Sequence, residues 1–137
     1  MALTHVVDTS VITRLRHAPV RAVVEPLAAA GSLGRVGITD LEVGYSARSA
    51  KEWDDAMGAL DSFELIETSA DHVRRARQVQ RLLAAKHQRS RKVPDLLIAA
   101  AAEASDLAVL HYDADFDRIA KVTGQRAEWV VPAGSVD

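Results

Sequence analysis

Apolar residues along the chain follow two patterns that alternate in order. Short runs rich in β-branched residues predict strands, whereas longer segments with apolar positions three or four residues apart predict helices. The predicted strands comprise a run that ends at Asp8 and the segments 35–39, 63–68, 107–111 and 127–131. The predicted helices cover about residues 11–17, 20–30, 40–47, 50–60, 70–87 and 94–105, and a further short helix after strand 107–111 ends at about residue 122. This alternation indicates an α/β fold with a central, mainly parallel sheet flanked by helices.

Glycine and proline residues mark several of the expected boundaries. The segment from Gly31 to Gly34 should end the second helix, and Gly124 should end the last one. Pro94 is suited to the first turn of a helix. The helix that it opens is almost wholly apolar, and we therefore expect it to lie in the centre of the fold.

The composition narrows the class of protein. At 137 residues the chain is expected to form one domain, residues 1–137, with a core of its own. Its residues are 48% hydrophobic but only 4% aromatic, which favours helices packed on a small sheet. The absence of cysteine excludes disulfides, zinc–thiolate sites and thiol catalysis. Neither a signal segment nor an apolar run of membrane-spanning length occurs, so we expect a cytoplasmic protein.

Acidic residues recur at the starts of predicted helices. Four of them follow a predicted strand, whereas Asp95 follows Pro94 in the first turn of the apolar helix. Because the carboxyl ends of parallel strands meet at one edge of a sheet, we expect their carboxylates to converge there. These residues are Asp8, Glu42, Asp95, Asp113 and Asp115.

Each acid also has a structural alternative, since capping is the more common role of an acid at the start of a helix. Asp8 and Asp113 would then be N-caps, Thr39 and Glu42 would form a capping box, and Asp95 would interact with the helix dipole. Several unpaired carboxylates at one edge would nevertheless repel each other. A hard cation, Mg²⁺ or Mn²⁺, would relieve this repulsion and is suited to phosphodiester hydrolysis. The lack of cysteine and of clustered histidine argues against zinc.

Four segments in this order resemble PIN domains and, more closely, the VapC-type ribonuclease toxins of bacterial toxin–antitoxin modules. They are Val6-Val7-Asp8-Thr9-Ser10, the helix with Glu42, the segment from Pro94 and Asp95 to Ala101, and the segment from His111 through Asp113 and Asp115 to Asp117. The resemblance extends over essentially the whole chain. It implies a PIN-like α/β/α sandwich and an endoribonuclease that depends on Mg²⁺ or Mn²⁺. It also implies a cognate VapB-type antitoxin and a homodimer.

Residue by residue, the resemblance places Asp8, Glu42, Asp95 and Asp113 on the acidic quartet that binds the metal. Asp115 falls on a supplementary acidic position, and Thr9 and Ser10 fall on the hydroxyl position beside the first acid. His111 departs from the pattern, because many relatives carry a hydroxyl residue two positions before the fourth acid. His111 could replace that hydroxyl in hydrogen bonding, but we expect it merely to end the strand.

A basic segment extends from Arg74 to Lys92 and contains eight Lys or Arg residues and no acid. The ordinary interpretation is a solvated helix face. The functional interpretation is a rim that binds RNA through its phosphates. Arg89, Arg91 and Lys92 directly precede Asp95 and are therefore the candidate RNA-binding residues, together with Thr9 and Ser10.

Other functions receive less support from the sequence. A catalytically silent PIN-like domain that binds RNA or protein remains an alternative, but it would not need to retain repelling carboxylates. A phospho-acceptor domain would normally show an acidic pair after the first strand. Ser10 lacks the Gly-x-Ser-x-Gly elbow of many hydrolases. Trp53 and Met57 are expected in the core, with an antitoxin groove or a dimer face as the alternative.

Overall fold

The sheet in the computed structural model, which describes residues 2–88 and 92–137, consists of parallel strands. The strands are β1 (His5–Val7), β2 (Leu33–Val36), β3 (Glu64–Ile66), β4 (Ala108–His111) and β5 (Ala127–Trp129). Their spatial order is β3-β2-β1-β4-β5, and each neighbouring pair is parallel. The predicted parallel sheet is thus confirmed, and β1 lies at its centre.

Helices cover both faces of this sheet. They are α1 (Thr9–Ile12), α2 (Ala18–Ala29), α3 (Gly37–Gly44), α4 (Ala50–Leu60), α5 (Ala70–Ala85), α6 (Val93–Ala104) and α7 (Asp115–Thr123). Side chains alternate along each strand, so Val6 packs into the cluster with α5, α6 and α7, whereas Val7 packs with α1, α2 and the end of α4. The predicted α/β/α sandwich is therefore confirmed.

The second strand and the helix after it begin earlier than predicted. β2 spans Leu33–Val36 rather than 35–39, because α3 already begins at Gly37. Apolar residues continue across this boundary, so the pattern alone does not mark it.

Gly34 lies inside β2, where a Cβ atom would come within 2.7 Å of Ile66 Cδ1. Of the two glycines in the segment after α2, Gly31 and not Gly34 has the left-handed conformation, with a φ of 69°.

Helix α6 lies in the centre of the fold, as its apolar sequence predicts. Ile98 and the following four alanines are buried against the sheet and against α5. Small alanine side chains let the helix backbone approach the sheet closely, and this fixes the position of Asp95 in the first turn. None of the helices in residues 2–88 and 92–137 is long and apolar enough to cross a bilayer.

The core position expected for Trp53 is wrong, because 46% of this residue is exposed. Trp53 lies over Gly44, where a Cβ atom would be 2.6 Å from Trp53 Nε1. Met57 is partly buried against the core, in agreement with the prediction. The helix pattern of α4 does not distinguish a core face from a face that packs only on a neighbouring helix.

Replacing Ile98 with Ala should lower the free energy of unfolding by about 2–5 kcal/mol, because a fully buried side chain leaves a cavity under α6. Denaturant unfolding followed by circular dichroism measures this loss. The matched control is Val73→Ala on the exposed side of α5, for which we expect a change below about 0.5 kcal/mol. Equal effects of the two changes would contradict the central place of α6.

Candidate metal centre

A small cleft of about 180 Å³ lies where β1 and β4 end. The residues that line it are Asp8, Thr9, Ser10, Thr13, Glu42, Lys92, Asp95 and Asp113. Asp8, Glu42 and Asp113 follow β1, β2 and β4, whose carboxyl ends lie at one edge of the sheet, and helix α6 begins at the same edge with Asp95. The acids therefore meet although they are distant in sequence. The structure thus brings together the four acids of the predicted quartet, whose catalytic role stays a prediction.

Asp8 is both a helix cap and part of the cleft. Its Oδ2 accepts the Ser10 backbone N–H at 3.0 Å and the Ser10 hydroxyl at 2.5 Å, so it caps α1. The Ser10 hydroxyl in turn accepts the backbone N–H of Tyr112 at 2.9 Å, which ties the end of β1 to the end of β4. Asp8 is only 3% exposed, and this burial raises its carboxyl pKa. Ser10 is therefore a positioning residue for Asp8.

Asp95 is the acid whose environment is least favourable for a negative charge. It is 5% exposed, and its Oδ2 is buried without a hydrogen-bond partner in the described part of the chain. Burial, together with the charges of Asp8 and Asp113, raises the pKa of Asp95 to about 8. An unpartnered buried carboxylate oxygen is costly unless a proton or a cation reaches it.

Asp113 and Asp115 face basic groups. Asp113 Oδ1 accepts the backbone N–H of Asp115 at 2.9 Å, and Asp113 Oδ2 accepts Lys92 Nζ at 2.9 Å. Burial raises the pKa of Asp113, but these two hydrogen bonds outweigh it and hold the pKa below its usual range. Asp115 forms an ion pair with Arg118, one helical turn further along α7.

The predicted capping box of Thr39 and Glu42 is wrong. Helix α3 begins at Gly37, with Val36 as its N-cap, so Thr39 lies inside the helix and is fully buried. Thr9 Oγ1 is 2.7 Å from Glu42 Oε1 and 3.0 Å from Thr39 Oγ1. Because a carboxylate only accepts, the Thr9 hydroxyl donates to Glu42 and accepts from Thr39. This chain of hydroxyl groups positions the exposed Glu42 at the rim of the cleft.

The expectation that His111 merely ends a strand is also wrong. β4 does end there, but His111 Nδ1 accepts the backbone N–H of Asp113 at 3.1 Å, which agrees with the alternative role in hydrogen bonding. The ring is fully buried beside Phe116 and Trp129, and burial lowers its pKa. His111 is therefore neutral, carries its proton on Nε2, and positions Asp113.

The donor set of the cleft suits a hard divalent cation. Carboxylate oxygens of Asp95, Asp113 and Asp115 lie within 4.8 Å of one another. This group includes the supplementary acid Asp115, whereas Asp8 and Glu42 line the cleft outside it. The unpartnered oxygen of Asp95 and the all-oxygen donors are what Mg²⁺ and Mn²⁺ prefer. The residues therefore fit the metal that the sequence predicts.

The basic segment only partly matches its prediction. Lys92 lies at the cleft, whereas Arg89 and Arg91 lie outside the described residues. On α5, Arg74 pairs with Asp71 and Arg75 with Glu103, acids just before and well after the basic segment. Two arginines of the basic segment are therefore paired with acids that lie outside the segment in sequence.

Comparison with known proteins identifies the family to which this arrangement belongs. The family model for the PIN domain matches residues 5–122. The chain belongs to the PIN-domain family. It is 63% identical to Ribonuclease VapC51 of Mycobacterium tuberculosis (strain ATCC 25618 / H37Rv) over 137 residues, which is the whole length of both chains. It is 45% identical to Ribonuclease VapC18 of the same strain, over 95% of this chain and 97% of that protein.

Solved structures support the PIN fold independently. The crystal structure of DNA-bound VapBC from Salmonella typhimurium contains a chain that superposes with a TM-score of 0.79. The match covers 94% of this chain and 99% of that chain at 20% sequence identity. At that identity the likeness concerns the fold alone.

Two residues beside the acids, Thr13 and Arg118, were not predicted from the sequence, and a third, Thr39, was predicted in a different role. Arg118 could have been found, because a helical spacing of three residues from Asp115 favours an ion pair. Thr39 was assigned the wrong role, since it contacts Thr9 from another helix. Thr13, one turn after Thr9, also lines the cleft. The positions of Thr39 and Thr13 at the site depend on tertiary structure and have no local signal in the sequence.

Replacing Asp95 with Asn should make stability less dependent on pH. Folded wild-type protein retains the Asp95 proton up to about pH 8, whereas the unfolded chain releases it near 3.8. The native state therefore binds more protons in this window, and the free energy of unfolding falls as pH rises. In EDTA at pH 8.5, Asp95→Asn should melt about 2–6 °C higher than wild type, and the difference should shrink toward pH 5.

Thermal melting from pH 5 to 8.5 measures this effect, with the exposed Asp55→Asn as the matched control. The control should follow the wild-type curve. Parallel curves for wild type and Asp95→Asn would contradict the raised pKa of Asp95.

Proposed function

We propose that this chain is an endoribonuclease that hydrolyses RNA phosphodiester bonds at the acidic cleft with Mg²⁺ or Mn²⁺. The observation that carries this proposal is the convergence of carboxylates around the unpartnered oxygen of Asp95. Two PIN-domain relatives that match the chain almost end to end bear the name ribonuclease, which supports the same activity.

Under this proposal Asp8, Glu42, Asp95 and Asp113 hold the metal, with Asp115 beside them. A divalent ion bound there would supply charge stabilisation for the transition state of phosphodiester hydrolysis.

The protein's own residues prepare the cleft for the reaction. Ser10 and His111 hold the Asp8 carboxylate and the Asp113 backbone by hydrogen bonds, and Thr9 holds Glu42. Each contact reduces the freedom of a ligand before any ion or substrate arrives, which is a general requirement of an efficient site.

RNA is expected to bind through its phosphates along the rim of this cleft. Thr9, Ser10 and Lys92 lie there, and Arg89 and Arg91 precede Lys92 in sequence. Arg77 and Arg81 extend the positive surface along α5, next to a groove of about 630 Å³ that holds no acidic residue among those that line it. Such a surface would bind the RNA backbone with little base specificity.

Replacing Asp8 with Asn should reduce RNA cleavage about a hundredfold or more, because the metal loses a charged ligand. The fold should be retained, and the melting temperature should stay equal or rise, since the buried Asp8 carboxyl has a raised pKa. Cleavage of pooled RNA with Mg²⁺, with Mn²⁺ and with EDTA measures the activity. The exposed Asp55→Asn on α4 should cleave at the wild-type rate. A folded Asp8→Asn protein with full activity would favour the alternative, a catalytically silent RNA- or protein-binding domain.

We also propose a VapB-type antitoxin as partner and a homodimer as the assembly. Three exposed side chains support a protein contact close to Glu42, namely Leu41 in α3, Tyr45 just after α3 and Trp53 in α4. Leu41, Glu42 and Tyr45 together line a shallow apolar pocket. An antitoxin segment packed there would reach the acidic cleft, where a basic residue could pair with the carboxylates.

Replacing Tyr45, which is 92% exposed, with Ser should weaken binding of the antitoxin about tenfold or more. The reason is that exposed aromatic residues are typical anchors of interfaces. Calorimetric titration with the purified antitoxin measures the affinity. Leu82→Ser on the exposed side of α5 is the control and should bind normally. Equal affinity of Tyr45→Ser and wild type would place the antitoxin elsewhere.

A further inference from the structure

Lys92 occupies a position at which a cation is unfavourable. It is the N-cap residue of α6 and makes no side-chain capping hydrogen bond. N-caps are normally Ser, Thr, Asp or Asn, and the positive end of the helix dipole disfavours a positive side chain. Helix stability therefore does not explain a lysine at this position. A residue that departs from the N-cap preference often has a role in a functional site instead.

The ammonium group of Lys92 instead contacts the acids of the cleft. Nζ lies 2.9 Å from Asp113 Oδ2 and 3.8 Å from Asp115 Oδ2. These two acids belong to the three-carboxylate group that suits a divalent cation. Among the described residues that line the cleft, Lys92 is the one with a basic side chain.

The same carboxylate oxygen cannot serve the ammonium group and a divalent ion equally well. Asp113 Oδ2 would be shared by two positive charges that repel each other at short distance. The Lys92 side chain is 60% exposed, so it can leave the cleft without opening the core. Asp95 Oδ2, in contrast, has no hydrogen-bond partner among residues 2–88 and 92–137.

We propose that Lys92 is a displaceable internal cation, which neutralises Asp113 and Asp115 while no divalent ion is bound and gives way when one binds. This inference rests on the proposed metal site and goes beyond it, because it assigns the lysine a role in setting metal affinity. The ion pair stabilises the acidic cluster in the metal-free protein. It also weakens metal binding, since the ion must first displace the ammonium group.

Calorimetric titration with Mn²⁺ alone tests this proposal on wild type, Lys92→Met and Lys51→Met. Methionine keeps much of the length of the side chain and removes its charge. Lys51→Met removes the same charge from an exposed pair with Asp55 on α4 and is the matched control. We expect Lys92→Met to bind Mn²⁺ about two- to fivefold more tightly than wild type, the scale of one partly exposed ion pair. Lys51→Met should be unchanged.

Thermal melting separates displacement from a purely structural role. In EDTA, Lys92→Met should melt about 1–4 °C below Lys51→Met, and saturating Mn²⁺ should close this gap. A gap that persists in Mn²⁺ would give Lys92 a structural role only and overturn the proposal. Equal Mn²⁺ affinity of wild type and Lys92→Met would also overturn it while leaving the metal site intact. Failure of wild type itself to bind Mn²⁺ would refute the proposed metal-dependent function and this inference with it.

Discussion

This structure depends on one constraint. Carboxylates at one edge of a parallel sheet repel one another and are poorly solvated. Asp8 and Asp95 are almost completely buried, and burial raises the pKa of both carboxyl groups. Such groups cost stability unless a cation or a proton compensates for them. Ser10 compensates Asp8 in part through its hydrogen bonds, and the nearby charge of Lys92 favours the ionised form of Asp95. A domain with no use for a metal could remove the cost by substituting a single acid.

The aliphatic core makes this unfavourable edge possible. Helix α6 packs its alanines and Ile98 against the sheet, so the backbone of its first turn is fixed by contacts far from the charges. The cleft residues are then held by a second set of contacts, from the hydroxyl of Thr9 to the buried ring of His111. Core packing fixes where the acids lie, and the hydrogen bonds fix how they point.

Most of the fold could be predicted because strands and helices alternate with clear apolar periods, and parallel pairing of β1 with β4 then brings Asp8 and Asp113 together. The boundary between β2 and α3 could not be predicted, because apolar residues continue from Val36 to Ile38 without a polar residue between them. Local patterns likewise misassigned Thr39 to a cap and Trp53 to the core. Both residues make their decisive contacts with other helices, and such contacts leave no periodic signal.

Anomalous diffraction from crystals of the protein soaked in MnCl₂ tests the central claim most directly, because it locates the ion without reference to activity. The account predicts a manganese peak in the cleft, bound by carboxylate oxygens of Asp95 and Asp113, with Lys92 Nζ withdrawn from Asp113. A peak confined to surface carboxylates such as Asp55 or Asp71, or no peak in a cleft open to solvent, would contradict it.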